Sequence, residues 1–227
     1  MMPAGQTPTM DLGRLYSNRF PESELQQKDA IWRVLCEQFF QKYVSRDAVV
    51  VDLGAGYCEF LRNIQCGERV AVDLNEDVCK FVPSGTRVIV APSHALQEKI
   101  ADRSVDVVFA SNFFEHLPDK QTFLCTLHEA WRILRPGGKL LALQPNIRAI
   151  GERYWDFVDH QIAITDRSLA EAAASVGFTI VELIPKFLPY TTRSRIPQHP
   201  ILVSLYLKVP ILWRIMGGQT WMVAVRT

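Results

Sequence analysis

Residues 49–59 read VVVDLGAGYCE, a run of valines that leads into Asp52 and two closely spaced glycines. A short β-branched run of this kind predicts a buried strand. Gly54 and Gly56 predict a tight turn into a helix, because glycine lets the backbone approach a ligand closely and the start of a helix offers free N–H groups. The fold prediction extends outward from this strand–turn–helix unit.

The same unit repeats along the chain, with short apolar runs predicted as strands and amphipathic segments predicted as helices. Alternating strands and helices indicate parallel βαβ units and hence an open, doubly wound α/β sheet. The Pro136-Gly137-Gly138 sequence is expected to terminate the helix before it. The further predicted strands are residues 69–73, 86–91, 104–110, 139–143, 178–184 and 219–226, and the predicted helices are 24–44, 120–134 and 165–176.

Two stretches, residues 144–164 and 185–218, do not fit this alternation. Each follows the carboxyl end of a predicted strand, which is the edge where open α/β sheets bind ligands. We therefore predict a single domain over residues 24–227 with these two stretches as substrate-binding elaborations. Residues 1–23 are expected to form a flexible lead.

The composition is that of an ordinary folded protein, with 48% hydrophobic and 22% charged residues. A formal net charge of +1 creates no global field for nucleic acid, so no nucleic-acid partner is expected. The five cysteines form no Cys-x-x-Cys pair, which favours a reducing compartment. There is no secretory signal pattern and no run of about 18 apolar residues, so a cytoplasmic location is expected.

The glycine loop alone is ambiguous, because glycines at this place can serve only to make a tight turn. A dinucleotide site of the form GxGxxG would need glycine at position 59, where the chain has Glu59. Carboxylates at both ends of the loop, Asp52 and Glu59, would also repel a pyrophosphate. They suit a ligand with positive charge, such as the sulfonium and amino groups of S-adenosylmethionine. Asp73 ends the next predicted strand, where a carboxylate can accept hydrogen bonds from the ribose hydroxyls.

Four linked segments of the chain resemble the class I S-adenosylmethionine-dependent methyltransferases. They are VVVDLGAGYCE at 49–59, VAVDL at 70–74, SVDVVFASNFFEHL at 104–117 and AWRILRPGGKLLAL at 130–143. The resemblance runs in order from about residue 45 to residue 184. It implies a Rossmann-like sheet of seven strands, mostly parallel with an antiparallel last strand, and helices on both faces. It also implies S-adenosyl-L-methionine as the cofactor.

The resemblance assigns roles to the loop residues. Asp52 would meet the amino group of the methionine part, directly or through water, and Asp73 would bind the ribose. Gly54, Ala55 and Gly56 would carry the backbone under the cofactor.

Further roles follow from the resemblance beyond the loop. Leu74 would pack on the adenine, and Asn112 would line the methionine side. Ser93 and His94 fall where the family usually has an acidic residue near the adenine amino group, so the two residues depart from the pattern. Cys58 replaces a third glycine common in the family, and its small side chain is expected to fit.

Methyl transfer from a sulfonium is an in-line displacement, so the protein mainly has to align the acceptor and exclude water. A hydroxyl acceptor also benefits from a general base, for which His160 and His116 are the candidates. His116 fits equally well a hydrogen bond that orders its loop. The segment 154–160, with Tyr154 and Trp155, could stack on a sugar-like ring or could pack on the sheet. No histidine has metal-ligand spacing with cysteines or carboxylates along the sequence, so no metal site is expected.

The last part of the chain has an asymmetric charge, since no acidic residue follows Glu182. It contains an apolar segment, residues 199–213, interrupted by Pro210 and flanked by cations. Three interpretations remain open: a packed lid, recognition of an anionic acceptor by Arg193 and Arg195, and peripheral docking on a membrane.

The sequence thus predicts an enzyme that transfers a methyl group to a small-molecule, sugar or lipid-linked acceptor, with a hydroxyl favoured. N- or C-methylation, or a cofactor-binding module without catalysis, are the alternatives.

Overall fold

The computed structural model describes residues 22–190 and 199–227, with side chains from residue 26 onward. Its centre is a seven-stranded sheet with the order β3-β2-β1-β4-β5-β7-β6. Strand β7 runs antiparallel to both of its neighbours, and the other neighbouring pairs are parallel. The strands are β1 Val49–Leu53, β2 Glu68–Asp73, β3 Arg87–Val90, β4 Val105–Ser111, β5 Leu134–Pro145, β6 Phe178–Ile184 and β7 Gln219–Arg226.

Helices cover both faces of the sheet, as the sequence predicts. Along β1, Val50 contributes to one hydrophobic cluster and Val51 to the other, because successive side chains of a strand point to opposite faces. Within the described residues the α-helices are α1 Glu22–Gln38, α2 Glu59–Asn63, α3 Lys120–Ile133, α4 Ile147–Ile150, α5 Asp166–Val176, α6 Pro200–Leu207 and α7 Pro210–Met216. Helices α3 and α5 pack on one face, and α1, α2 and α6 pack on the other.

The order of the strands places a binding edge at a defined point. Strand β1 lies between β2 and β4, so the chain extends the sheet through β2 and β3 on one side of β1 and then through β4 and β5 on the other side. In open α/β sheets, ligands bind outside the carboxyl ends of the strands at such a switch point. The residues that follow Leu53, Asp73, Ser111 and Pro145 therefore meet at one edge.

Two boundaries differ from the sequence prediction. The predicted helix at 24–44 ends at Gln38, and a 3₁₀ turn follows over Phe40–Tyr43. The Phe39 and Phe40 rings there both pack against Trp221, with ring centroids 5.5 and 5.0 Å from that of Trp221. A helical period in the sequence cannot reveal these aromatic contacts, which lie where the helix ends.

The Pro-Gly-Gly sequence does not form a loop between helix α3 and the next strand. The helix ends at Ile133, and β5 begins at once with Leu134 opposite Val105. Pairing then resumes with Lys139 opposite Val107, so the four residues 135–138 of β5 lie opposite a single residue of β4 and make an irregularity inside the strand pairing. Gly137 has a φ of +81°, which explains why a glycine stands there.

The two stretches predicted as substrate-binding elaborations contain short helical elements, and their role in substrate binding stays a prediction. Residues 144–164 contain α4 and a 3₁₀ turn over Gly151–Asp156, and residues 185–218 contain α6 and α7. In the part of the chain that the structure describes, no helix is both long enough and apolar enough to cross a membrane.

Candidate active site

The glycine loop after β1 is held by backbone bonds to the end of β2. The N–H groups of Gly54 and Ala55 donate to the carbonyl oxygen of Val72, at 2.8 and 3.2 Å. Gly54 and Gly56 have φ angles of +70° and +50°, a region that favours glycine. Cys58 also has a positive φ, 56°, and its side chain is buried. The position that replaces a family glycine therefore retains the backbone conformation of a glycine.

Asp73 closes the same loop with its side chain. One carboxylate oxygen accepts a 2.8 Å bond from the N–H of Gly56, and the other accepts a 2.8 Å bond from the N–H of Asn75. Each carboxylate oxygen can accept a second hydrogen bond, so Asp73 can also hold a ribose. Leu74, the next residue, is 60% exposed at this edge, so its side chain is available to pack against an apolar ring.

The most deeply buried acid beside the loop is Asp52, which is only 4% exposed. Burial, followed by the nearby negative charges of Glu59 and Asp73, raises the pKa of Asp52 well above its ordinary value. Glu59 has a cation of its own, since the Lys28 Nζ lies 2.8 Å from its Oε1. Three carboxyl groups thus surround the loop, and the deepest of them lies where a ligand with positive charge would be stabilised.

Gly54 has a packing reason that the sequence does not suggest. A Cβ on Gly54 would lie 2.2 Å from Cδ2 of Phe113, so the bare glycine packs directly against the phenyl ring. By contrast, a Cβ on Gly56 would meet nothing nearer than a backbone oxygen at 3.9 Å. Open space over Gly56 fits the predicted passage of the backbone beneath a cofactor.

Asn112 follows β4 with a φ of +47°. Its side-chain oxygen accepts a 3.0 Å bond from Nε2 of Gln219, and its amide nitrogen donates to Ser111 at 3.1 Å. The amide is therefore fixed in place next to Phe113, on the side where the methionine part was predicted.

The residues beyond β3 are placed less simply. Ser93 is buried, and its hydroxyl shares a 2.8 Å hydrogen bond with Thr126 of helix α3. The Ser93 side chain therefore points into the protein, while His94 is exposed. Ala55, in the glycine loop, is buried at 6% exposure. Contact of these three residues with the cofactor stays a prediction.

A second group of polar side chains lies just past Phe113. Glu115, His116 and His160 offer ligand atoms that all lie within 4.8 Å of one another. His116 Nδ1 lies 3.1 Å from the carbonyl oxygen of Asp159 and 3.3 Å from its carboxylate. Glu115 is 1% exposed, and burial raises the pKa of its carboxyl to about 7, opposed by the neighbouring His116.

The structure thus brings together the two histidines that the sequence singled out. The sequence predicted no metal site, because no histidine has metal-ligand spacing with cysteines or carboxylates along the chain, yet the fold brings Glu115, His116 and His160 close together. The reason is that β4 and the first elaboration are distant in sequence but pack together: the carbonyl of Glu115 accepts backbone bonds from Gln161 and Ile162, at 2.8 and 3.3 Å.

The predicted substrate-binding aromatics separate into one buried and one exposed residue. Tyr154 is fully buried, and its hydroxyl donates to the carbonyl of Ile162 at 2.7 Å and accepts from the N–H of Ile164 at 3.2 Å. It orders the elaboration from inside and does not present its ring at the surface. Trp155 is 50% exposed and keeps a free face. Arg193 and Arg195 lie outside the described residues.

Sequence reasoning missed Phe113, Glu115, Asp159 and Gln144 as parts of this edge. Gln144 is fully buried, accepts from the N–H of Phe113 at 3.2 Å and donates to the carbonyl of Ala110 at 3.2 Å. The pairs Glu115-His116 and Asp159-His160, each an acid directly before a histidine, were the available signal in the sequence.

The sheet order, the glycine loop and the acid at the end of β2 define a Rossmann-like fold of the methyltransferase type. Residues 51–142 match the family model described as a methyltransferase domain. Residues 51–142 therefore form a methyltransferase domain of the class I S-adenosylmethionine-dependent type, whose cofactor is S-adenosylmethionine.

The chain is also similar in sequence to individual methyltransferases. A malonyl-[acyl-carrier protein] O-methyltransferase of Coxiella burnetii is 33% identical over 112 residues, which cover 48% of this chain and 38% of that protein. A protein of Mycobacterium tuberculosis named probable S-adenosylmethionine-dependent methyltransferase is 30% identical over 115 residues, covering 50% of this chain and 41% of that protein. The aligned region thus spans about two fifths of these relatives.

Among solved structures, an S-adenosylmethionine-dependent methyltransferase from Archaeoglobus fulgidus has the same fold. It superposes with a TM-score of 0.64 at 20% identity and covers 95% of this chain and 100% of that one.

The Gly54–Phe113 contact predicts the effect of a small substitution. Gly54→Ala should destabilise the protein more than Gly85→Ala, which also has a positive φ, +78°, but meets nothing within 4 Å. Both variants carry a backbone cost of roughly 1–2 kcal/mol, and only Gly54→Ala adds an overlap cost of roughly 1–3 kcal/mol. Urea unfolding without cofactor measures the difference. Equal losses for the two variants, or no recovery of Gly54→Ala in a Phe113→Ala background, would contradict the contact.

The raised pKa of Asp52 predicts a pH-dependent stability. Because the folded protein holds this proton more tightly than the unfolded chain, stability should fall as the pH rises above about 4, the ordinary Asp value. Asp52→Asn should remove this component, so the variant gains on the wild type as the pH increases. Urea unfolding from pH 4 to pH 8 without cofactor provides the comparison, with the exposed Asp156→Asn as control. A difference between Asp52→Asn and wild type that does not change with pH would refute the assignment.

Proposed function

We propose that the protein transfers the methyl group of S-adenosylmethionine to a hydroxyl of a small-molecule, sugar or lipid-linked acceptor. The observation that carries the proposal is the buried carboxyl of Asp52 beside the glycine loop, with Glu59 and Asp73 close enough to raise its pKa further. Such a site favours a cationic ligand and disfavours a pyrophosphate.

The chain's residues divide the work of holding the cofactor. Asp73 would accept bonds from the ribose, Leu74 would cover the adenine, and Asp52 with Asn112 would face the amino group of the methionine part. When bound, S-adenosylmethionine supplies an activated methyl group. The protein then has to align the acceptor and exclude water, for which the half-exposed Trp155 offers a flat apolar surface near the edge.

A hydroxyl acceptor fits the polar corner past Phe113. A hydroxyl has to lose its proton as it takes the methyl group, and the imidazoles of His160 and His116 lie at this corner, with ring centroids 5.0 Å apart. The Coxiella burnetii relative is named an O-methyltransferase, which supports oxygen as the acceptor atom. N- or C-methylation and cofactor binding without catalysis are the rival functions, and an acceptor screen with labelled cofactor discriminates among them.

Helices α6 and α7 bear on where the protein would meet a lipid-linked acceptor. One side of this pair is anchored, since the Trp213 ring nitrogen donates to the carbonyl of Tyr206 at 2.9 Å and Tyr206 is buried. The pair also exposes seven large apolar side chains and the cations Lys208 and Arg214, with no acid after Glu182 in the sequence. The seven are Ile201, Leu202, Leu205, Val209, Ile211, Ile215 and Met216. We propose that this surface, the α6–α7 face, docks on an anionic membrane.

The cofactor assignment predicts a calorimetric result. The protein should bind S-adenosylmethionine and its demethylated product at micromolar levels, and Asp73→Ala should abolish this binding. Because Asp73 also holds the glycine loop, Leu74→Ser serves as a second variant at an exposed position and should weaken binding without affecting the fold. Asp77→Ala, on a 3₁₀ turn over Glu76–Lys80, is the control that should bind normally. Tight binding of NADH instead would refute the proposal.

The membrane proposal predicts co-sedimentation with vesicles that contain phosphatidylglycerol and none with vesicles of phosphatidylcholine alone. Ile215→Asp, at a side chain 72% exposed, should weaken the association at least about fivefold, since the loss of one buried apolar side chain is worth roughly 1 kcal/mol or more. Val158→Asp, at a side chain 70% exposed elsewhere, should leave it unchanged. Wild-type protein that stays in the supernatant with anionic vesicles would refute the docking.

A further inference from the structure

The corner formed by Glu115, His116 and His160 has the composition of a metal site. One carboxylate oxygen and one nitrogen from each imidazole lie within 4.8 Å of one another, and two of the three residues are buried. Among the residues that the structure describes, this is the one group of three or more such side chains with that spacing. Two histidines and one carboxylate form the ligand set of several catalytic zinc and iron sites.

The carboxylate of Glu115 has an unused oxygen. Glu115 is 1% exposed, and its Oε2 is buried with no hydrogen-bond partner in the described structure. Its Oε1 lies 3.8 Å from Nε2 of His116, which is longer than a hydrogen bond. A buried carboxylate oxygen without a partner is costly, and a cation at this point would remove the cost.

His116 is oriented as a metal ligand usually is. Its Nδ1 faces the carbonyl oxygen of Asp159 at 3.1 Å and the Asp159 carboxylate at 3.3 Å, so Nε2 points toward Glu115. Metal-bound histidines commonly donate their other ring N–H to a carboxylate or a backbone carbonyl, which fixes the ring and its tautomer. Asp159 would supply that support from the same loop that carries His160.

The third ligand is held by packing. The His160 ring lies 4.8 Å from the ring of Tyr154 and 5.4 Å from that of Phe157, stacked with the latter. The bonds from Gln161 and Ile162 to the Glu115 carbonyl fix the distance between the two segments. The three ligands are therefore brought together by the backbone and by aromatic contacts, in addition to any attraction among themselves.

We propose that Glu115, His116 and His160 bind a divalent transition-metal ion, with zinc as the first candidate. Two imidazoles disfavour Mg²⁺ and Ca²⁺, which prefer oxygen ligands. Ligand atoms around a four-coordinate zinc are about 3.4 Å apart, given bonds of about 2.0–2.1 Å. The three ligand atoms, which lie within 4.8 Å of one another, would move closer together around a bound ion. His116 is partly exposed, so an open coordination position toward solvent or acceptor remains.

The site also bears on the proposed function, and this link rests on that function. Glu115 and His116 follow Phe113, whose ring packs on Gly54 of the cofactor loop. An ion at this corner would bind the acceptor hydroxyl and lower its pKa. His116 and His160 would then be metal ligands and could not act as general bases, because the ring nitrogens that accept a proton would be bound to the ion.

Metal binding by the protein tests the proposal directly. Chelator-stripped protein titrated with zinc chloride in a calorimeter should take up one tightly bound equivalent. Glu115→Gln and His160→Gln should each abolish this equivalent, and Asp159→Asn should weaken it by about 10–100-fold. His128→Gln, at an exposed position on helix α3, is the matched control and should bind as the wild type does. Absence of a stoichiometric equivalent in the wild type would overturn the proposal.

Two further measurements complete the test. A cobalt titration of the wild type distinguishes the proposed ligands from cysteine, and cofactor binding shows whether the variants are folded. The d–d absorption of Co²⁺ in the wild-type protein should indicate nitrogen and oxygen ligands. Thiolate charge-transfer bands would assign the ion to a cysteine and would also overturn the proposal. S-adenosylmethionine should bind the stripped protein and the Glu115→Gln variant as it binds the wild type. Loss of cofactor binding throughout would instead refute the proposed function, so the two failures are distinguishable.

Discussion

The carboxylate of Asp73 joins the glycine loop to the second strand, because its two oxygens accept backbone hydrogen bonds from Gly56 and Asn75. Together with the bonds from Gly54 and Ala55 to Val72, it fixes a loop of left-handed residues that has little regular structure of its own. The position of helix α2, the open space over Gly56 and the placement of Leu74 all follow from this attachment. A residue that would bind the ribose thus also builds the surface on which the ribose would lie.

The same attachment holds three acidic side chains close together beside the loop. Asp52 cannot move away from Asp73 or Glu59, since it belongs to β1, which is paired on both sides within the sheet. The protein therefore holds a buried acid whose ionisation is unfavourable until a cation arrives. In this respect the cofactor loop resembles a dinucleotide site in backbone shape and is opposite to one in charge. The charge, more than the glycines, distinguishes the ligand.

The sequence was sufficient for most of the architecture. Strand runs such as Val49–Leu53 and the strand Gln219–Arg226 were predicted closely, because alternation of short β-branched runs with helices constrains a doubly wound sheet strongly. The positions of the glycine loop and of Asp73 at the carboxyl edge were predicted for the same reason, and their contact with the cofactor stays a prediction. What could not be predicted depends on contacts between distant segments: the Phe113 ring on Gly54, the inward hydroxyl of Ser93, the burial of Tyr154, and the approach of Glu115 to His160. No periodicity records such contacts.

One of those contacts decides how the polar corner works. The Glu115 carbonyl accepts bonds from both Gln161 and Ile162, so the first elaboration is attached to the end of β4 by its backbone. Attraction among the side chains is therefore not needed to hold Glu115, His116 and His160 together. The folded protein still bears the free-energy cost of a buried carboxylate oxygen without a hydrogen-bond partner. A corner that merely ordered the loop would be expected to satisfy that carboxylate within the protein. Because the oxygen is left unused beside two imidazoles, the corner is better explained as a binding site that an ion completes.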